Sequence, residues 1–378
     1  MLPLSLYIHI PWCIQKCPYC DFNSHKSPDI LPENAYVQSL LTDLDDDLKK
    51  TPNRHISSIF IGGGTPSLLS AKAYEQLFNG LTQRLSFSDT IEITLEANPG
   101  TVDYARFRDY RTLGINRLSI GIQSFDKNHL KTLGRIHDDQ DAHRAIQKAR
   151  DAGFDNLNLD LMHGLPHQSV SEGLSDLDIA LSYKPEHLSW YQLTIEPNTV
   201  FHKQRPPLPS EDYLEALEKE GFLRLKSHGY ERYEISAFSH HNKYSNHNLN
   251  YWLFGDYLGI GAGAHGKISS ADGKHILRTR KHRMPKDYLA KQEKYAGTDT
   301  LDEDDKCFEF MLNATRLEQA IPYELFYERT GLPIEEIMPL FIIAETKGLL
   351  YLSDTHWQVT PLGRRFTNDL QEIFLLLK

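Results

Sequence analysis

The rhythm of the first two hundred residues leaves few folds open. Short apolar runs alternate there with longer amphipathic ones. "LSLYIHI" (4–10), "ISSIFIGG" (56–63), "IEITLEAN" (91–98), "NRLSIGIQS" (116–124), "NLNLDLM" (156–162) and "HLSWYQLTI" (187–195) read as strands. Helical patterns fall between them at about 34–49, 71–85, 103–113, 139–152 and 170–183. Strands joined by helical crossovers run parallel, so the fold class is α/β. Eight such units would close a barrel, and six predict a partial (β/α)6 barrel.

The rhythm breaks at "HKQRPPLPSED" (202–212), where proline-rich, polar sequence marks a boundary. A helix follows at about 210–228, then an irregular aromatic and glycine-rich stretch to about 266. The basic segment "KHILRTRKHRMPK" (274–286) comes next. From 301, three helical patterns lead to "GLLYLSDTHWQVT" (348–360), a hairpin, and then to a last helix. That order resembles a winged helix. Three parts are expected: a barrel over 1–205, a connecting region over 206–300, and a mostly helical, winged-helix-like domain over 301–378.

Charge argues against a nucleic-acid partner. The chain carries a formal net charge of −10, and residues 301–378 hold 14 Asp and Glu against 7 Lys and Arg. An acidic wing binds phosphates poorly, so a structural or docking role is expected of it. No apolar run approaches the length of a membrane span. The start, "MLPLSLYIHIPWC", lacks the basic region and cleavage site of a secretion signal. Four cysteines in 378 residues make no disulfide framework. A cytoplasmic protein is expected, and its state as monomer or homodimer is left open.

Three of those cysteines crowd into "PWCIQKCPYCDFN" (11–23) as Cys13, Cys17 and Cys20, a C-x3-C-x2-C spacing that follows directly on a strand. Pro11 and Pro18 disfavour regular helix through this loop. A structural zinc site would want a fourth ligand and paired knuckles. A redox C-x-x-C would leave Cys13 unexplained. A [4Fe–4S] cluster held by three thiolates keeps one iron open for a ligand. Cys307, in "DDKCFEFML", reads as a helix-core thiol.

Two further motifs end strands. "IFIGGGTPS" (59–67) sets three glycines and a threonine after the second strand, and no Gly-Lys-Ser/Thr follows to make a phosphate loop. "LEANPG" (95–100) puts Glu96 at the end of the third strand, where barrels place functional carboxylates.

Together these features resemble the radical S-adenosylmethionine (SAM) superfamily. The resemblance implies that the open iron chelates SAM, and that the reduced cluster cleaves it to methionine and a 5′-deoxyadenosyl radical. More narrowly, "YIHIPWCIQKCPYCDF", "GGGTPS", "EANPG", "NRLSIGIQSF", "LGRIH", "DLMHGLP" and "HNLNYW" stand in the order found in oxygen-independent coproporphyrinogen III oxidases and their relatives, the HemW-type heme chaperones. That likeness spans nearly the whole chain. It implies that Tyr7 and Tyr19 line the SAM site and that Gly63, Gly64, Thr65 and Glu96 contact SAM. Gln123, Arg135, Asp160 and Thr194 match positions that surround two SAM molecules in the oxidase.

Two departures separate the chain from the oxidase and side with the chaperones. The oxidase pattern continues to one more cysteine, where this chain has Phe22, and only twelve residues precede Cys13. The third feature is "HNLNYWLFGDYLGIGAGAHG" (247–266), whose opening resembles the chaperones' heme-binding signature. His247 is then the expected heme ligand, with His265 as a second candidate and with Tyr251 and Trp252 able to stack on a porphyrin. Gly261, Gly263 and Gly266 spell a dinucleotide fingerprint, but no helical pattern follows, so NAD binding is rejected. Arg278, Arg280, Lys281, Arg283 and Lys286 read as a solvated basic loop whose charges suit heme propionates or an anionic membrane surface. The expected function is to carry heme to apo-hemoproteins such as respiratory enzymes. The alternative is decarboxylation of coproporphyrinogen III to protoporphyrinogen IX.

Overall fold

In the computed structural model, residues 3–51, 54–101, 104–270 and 272–377 are described. The first strand, β1 (Leu4–Ile10), buries all but one of its residues, Tyr7. Such a strand needs cover on both faces, which crossover helices supply. The chain delivers them in turn: α1 (Glu33–Leu48), β2 (His55–Gly63), α2 (Ala71–Thr82), β3 (Ser86–Ala97), α3 (Tyr104–Thr112), β4 (Arg117–Gln123), α4 (Lys127–Thr132), α5 (Asp139–Asp151), β5 (Leu157–His163), α6 (Val170–Ser182) and β6 (His187–Gln192). Strands β1 to β6 pair in sequence order, all parallel. The expected six-stranded partial barrel is present. Residue 103, where the third helix was expected to begin, lies outside the described residues.

Local signals set the helix starts. Asp138 with Asp141 and Ser169 with Glu172 form reciprocal capping boxes at α5 and α6. The Ser210 hydroxyl caps α7 (Glu211–Ser227), just past the proline-rich break.

Residues 229–300 differ from the sequence expectation. The irregular stretch contains β7 (Glu231–Glu234), β8 (Ala237–Ser239) and a short helix, α8 (Asn246–Trp252). It then gives β9 (Asp256–Ile260), a buried strand that pairs parallel with the free edge of β1. The supposed solvated loop is a meander, β10 (His265–Ser269), β11 (Ile276–Lys281) and β12 (Tyr295–Thr300), added antiparallel beyond β9. Strands β8 and β7 extend the other edge beyond β6, making one twelve-stranded sheet. Lys281 is buried, not solvated: its ammonium sits between Asp43 and Asp47 of α1. That charge pairing allows a basic sequence to form an inner strand.

The C-terminal part has its own core around Phe310, Phe326, Phe341 and Trp357, which Phe254 and Ile276 also join. Its elements are α9 (Glu303–Ala314), α10 (Tyr323–Thr330), α11 (Met338–Thr346) and the wing β13 (Leu350–Leu352) with β14 (His356–Val359). Cys307 is buried in that core, on α9. Among the described residues no helix is long and apolar enough to cross a membrane.

Candidate functional site

The turn after β2 and the carboxyl halves of β3 to β6 open on a cavity of about 440 Å³. Such ends collect functional groups because side chains there face the barrel mouth. The cysteine loop leaves β1 and folds across this mouth. Trp12 and Cys13 bridge to His25 and Lys26, which closes the loop on itself. The Lys16 ammonium donates to the carbonyls of Phe22 and Ser24, at 3.0 and 3.3 Å. Cys13 is buried, Cys17 and Cys20 are half-buried, and all three thiols are free. Burial pushes the Cys13 and Cys20 thiols above their ordinary value.

Two glycine motifs let the loop sit so close. Gly64 N donates to Ile10 O and Thr65 N to Trp12 O, each at 2.7 Å. A Cβ on Gly64 would lie 2.6 Å from the Trp12 carbonyl oxygen. The "GGGTPS" glycines thus admit the chain's own loop as well as edging the cavity. Gly134, at φ +66°, makes room for Pro18, whose ring would lie 2.6 Å from a Cβ there.

Among the described residues no three His, Cys, Asp or Glu side chains close on a point that a single metal ion would fill. Cubane thiolates bind different irons and need no common point. Cys17 and Cys20 stand on the cavity wall with Tyr19, Gly64, Thr65, Glu96, Gln123, Arg135, Asp160 and Thr194. Gly63 and Tyr7 lie one step away, on a second cavity that shares Glu96 and Phe22 with the first. The structure therefore gathers these expected SAM-site residues around two neighbouring cavities that share Glu96 and Phe22.

The electrostatics of the first cavity favour a cation at one end. Glu96 accepts from Gly63 N at 3.0 Å. Burial, then the nearby Asp160 charge, push its carboxyl up to about 8. Asp160 is raised too, mainly by burial, although Ser119 and Asn158 donate to it at 2.9 and 2.8 Å. Two acids this close are stabilised in ionised form by a positively charged guest. Opposite them, Arg135 binds the Asn98 carboxamide oxygen and Gly121 O, at 2.9 and 2.8 Å, and lies 3.8 Å from the Cys17 sulfur. Its Nε has no partner among the described residues. Gln123 sits at φ 70°, in the left-handed region, and takes a 2.8 Å hydrogen bond from Tyr191. Thr194 is exposed at the rim, bonded to Glu196 at 2.9 Å.

Asn98, Ser119, Ser189 and Tyr191 also line this cavity, and sequence reasoning missed them. Ser119 shares the period-two face of β4 with Gly121 and Gln123, a signal available in advance.

His247 is set otherwise than an open ligand would be. It lies on α8, 1% exposed, behind the cavity wall. One ring nitrogen bonds Ser58 Oγ at 3.1 Å and the other the Tyr251 hydroxyl at 3.2 Å. Its ring stacks on Phe60, with centroids 5.1 Å apart. Burial holds it neutral, with a pKa near 3. As an iron ligand it would have to give up one of those bonds. Trp252 packs under the Arg316 guanidinium instead of lining either cavity. Tyr251 and His265 do face the second cavity. Where a dinucleotide fingerprint needs a helix, β10 follows Gly263. Of the basic segment, Arg278 pairs with Glu309 and Arg280 with Asp299, while Arg283 is exposed on the second cavity.

Comparison with known proteins agrees with this geometry. Residues 7–180 match the radical SAM superfamily and residues 301–366 the HemN C-terminal domain. The chain is 50% identical to the heme chaperone HemW of Escherichia coli over 99% of its own length and 98% of that protein's. It is 46% identical to the heme chaperone HemW of Haemophilus influenzae over the same shares. The solved structure of the coproporphyrinogen III oxidase HemN of Escherichia coli superposes with a TM-score of 0.82, over 99% of this chain and 90% of that one. At 23% identity that likeness speaks for the fold alone.

Proposed function

The chain belongs to the family of the heme chaperone HemW, within the radical SAM superfamily, and from that premise we propose that it binds heme beside a [4Fe–4S] and SAM site and passes it to apo-hemoproteins. Respiratory enzymes are the acceptors this reading favours. The observation that carries it is the pair of neighbouring cavities, one ringed by thiols and acids, the other walled by aromatic rings.

Cys13, Cys17 and Cys20 would hold three irons of the cluster. Tyr7, Tyr19, Gly63, Gly64, Thr65 and Glu96 would seat SAM. The cluster, when bound, supplies an electron at the iron that the protein leaves open. Glu96 and Asp160 would meet the positive charge of the sulfonium and ammonium groups, and Glu96 would lose its proton as that charge arrives. Gln123, Arg135 and Thr194 would enclose the remaining volume and exclude water from it. Heme would bind next door, in front of the helix that carries His247. Phe22 is 57% exposed and lies between the two cavities. It offers a ring where the oxidase has a thiol, which suits stacking more than catalysis.

The test is hemin titration and coproporphyrinogen turnover, run side by side on the anaerobically reconstituted protein. Saturable hemin binding without turnover is expected. Turnover to protoporphyrinogen IX would overturn the reading.

A further inference from the structure

The second cavity measures about 400 Å³. Tyr7, Phe22, Tyr251 and Tyr257 line it. Tyr251 and Tyr257 meet edge to face, with centroids 4.3 Å apart. Aromatic walls suit a flat, largely apolar guest.

Three imidazoles lie in or behind this wall, and their hydrogen bonds tell them apart. His9 spends one ring nitrogen on the Tyr7 hydroxyl and the other on Asn23 O, both at 2.9 Å. His247 is likewise engaged at both nitrogens, by Ser58 and Tyr251. His265, at the start of β10, is exposed at the cavity mouth. Neither of its nitrogens has a hydrogen-bond partner among the described residues. A ring nitrogen can bind iron only with its lone pair free. Burial, and then the charges of Arg278, Arg280 and Arg283, lower the basicity of His265.

The charges beside it are as telling. Strand pairing sets Arg280 directly across from His265. Arg278 is taken up by Tyr257 and Glu309, and Arg280 by Asp299. Arg283 lines the cavity and has no acidic partner among the described residues. Its backbone is fixed all the same: Asn23 Nδ2 donates to Arg283 O and to Ala262 O, both at 2.9 Å. A free guanidinium held at the mouth of an aromatic cavity is a carboxylate receptor.

We infer that His265 is the imidazole that meets the iron of the carried porphyrin, with Arg283 taking a propionate. His247 is a positioning residue in this arrangement. It holds the Tyr251 hydroxyl, and so the aromatic wall, from behind. The inference rests on the heme-carrier reading above.

Two probes separate the roles: hemin, and iron-free protoporphyrin IX, titrated anaerobically into the reconstituted chain. His265→Ala changes an exposed side chain and keeps the fold. It is expected to weaken hemin binding by at least about 10–100-fold, since losing only the hydrogen-bond partner of a metal ligand already costs that much, and to shift the Soret band. Added imidazole should restore that band. Protoporphyrin IX binding should stay as in the wild type, since no iron is involved. His247→Ala should weaken both probes alike, and His247→Gln, which keeps a hydrogen-bonding group, should recover part of each. Arg283→Gln should also weaken both. The inference is overturned if His265→Ala binds hemin as the wild type does, or if His247→Ala loses hemin while keeping protoporphyrin IX. Either result leaves heme carriage standing. A wild-type chain that binds no hemin saturably overturns the carrier reading and this inference with it.

Discussion

Replacing Lys281 by methionine tests how the charged strand β11, which pairs with the strand of His265, is held. Lys281 has no exposed side-chain surface. Its ammonium meets Asp43, lies 2.7 Å from Asp47 Oδ1, and sits 3.9 Å from the centre of the Tyr295 ring. Asp43 also takes hydrogen bonds from Tyr288 at 2.7 Å and Gly261 N at 3.1 Å. One cation thus faces two carboxylates, and Asp47 Oδ2 has no partner among the described residues. Breaking a buried pair while leaving the other charge behind costs about 3–5 kcal/mol. The carboxylates can relieve part of this by taking up a proton. Burial already pushes the Asp43 carboxyl up to about 6, with Lys281 holding it down. Losing that cation raises it further, so the loss of stability should be larger at pH 8 than at pH 5. Urea unfolding of Lys281→Met at both values gives the comparison. Adding Asp43→Asn should recover much of the loss at pH 8, because the amide oxygen still accepts from Tyr288. A loss below about 1 kcal/mol, typical of an exposed pair, would refute the argument. So would a loss equal at both pH values, or a double variant no more stable than the single one.

Three more outcomes are expected at the first cavity. Cys17→Ala should abolish the brown absorbance of the reconstituted cluster; absorbance that survives would remove Cys17 from the ligand set. Glu96 has a folded pKa raised from 4.5 to about 8, so its contribution to apo-protein stability is lost as pH rises through that window. Glu96→Gln should flatten this slope in urea unfolding. By the same sign, SAM affinity in the wild type should climb towards pH 8 and level off above it, as calorimetry would read, and the variant should bind weakly at every pH. Gly134→Ala forces an L residue to φ +66° with its Cβ 2.6 Å from the Pro18 ring. About 1–2 kcal/mol of backbone strain should follow, with poorer cluster assembly; iron content per chain and urea unfolding are the measurements.

The barrel was legible because its strands bury themselves and its crossovers repeat. Leu4, Leu6, Ile8 and Ile10 are all buried, and the run "LSLYIHI" shows why. Strand β9 was not legible. "DYLGI" is five residues long, flanked by glycines, and finds β1 more than 250 positions away. Local periodicity carries no record of a parallel partner that distant. The basic segment misled for a different reason. Alternation along β11 hides Thr279 and Lys281 while exposing Arg280. A lysine at an inner position reads as solvent until Asp43 and Asp47 are brought against it. His247 and Tyr251 stand four apart, the spacing that puts side chains on one helical face. That spacing could have shown the histidine bonded to the tyrosine instead of open to a ligand.

The second cavity had no local signature because it is assembled from Tyr7 and His9, Phe22 and Asn23, Tyr251, Tyr257, the Gly263–His265 turn, and Arg283. One residue links it to the thiols. Asn23 lies three positions beyond Cys20. Its amide bonds Ala262 O and Arg283 O, and its carbonyl oxygen accepts from His9. The chain that leaves the last thiol therefore fixes the turn before His265 and the backbone of Arg283. A shift of the 13–20 loop must move those bonds or break them. At about 1 kcal/mol each, three such bonds are strong enough to transmit a change and weak enough to be broken by one. The shared wall of Phe22 and Glu96 adds a second connection. The loop that carries the thiols and the wall of the aromatic cavity are thus tied to each other by these bonds in this fold.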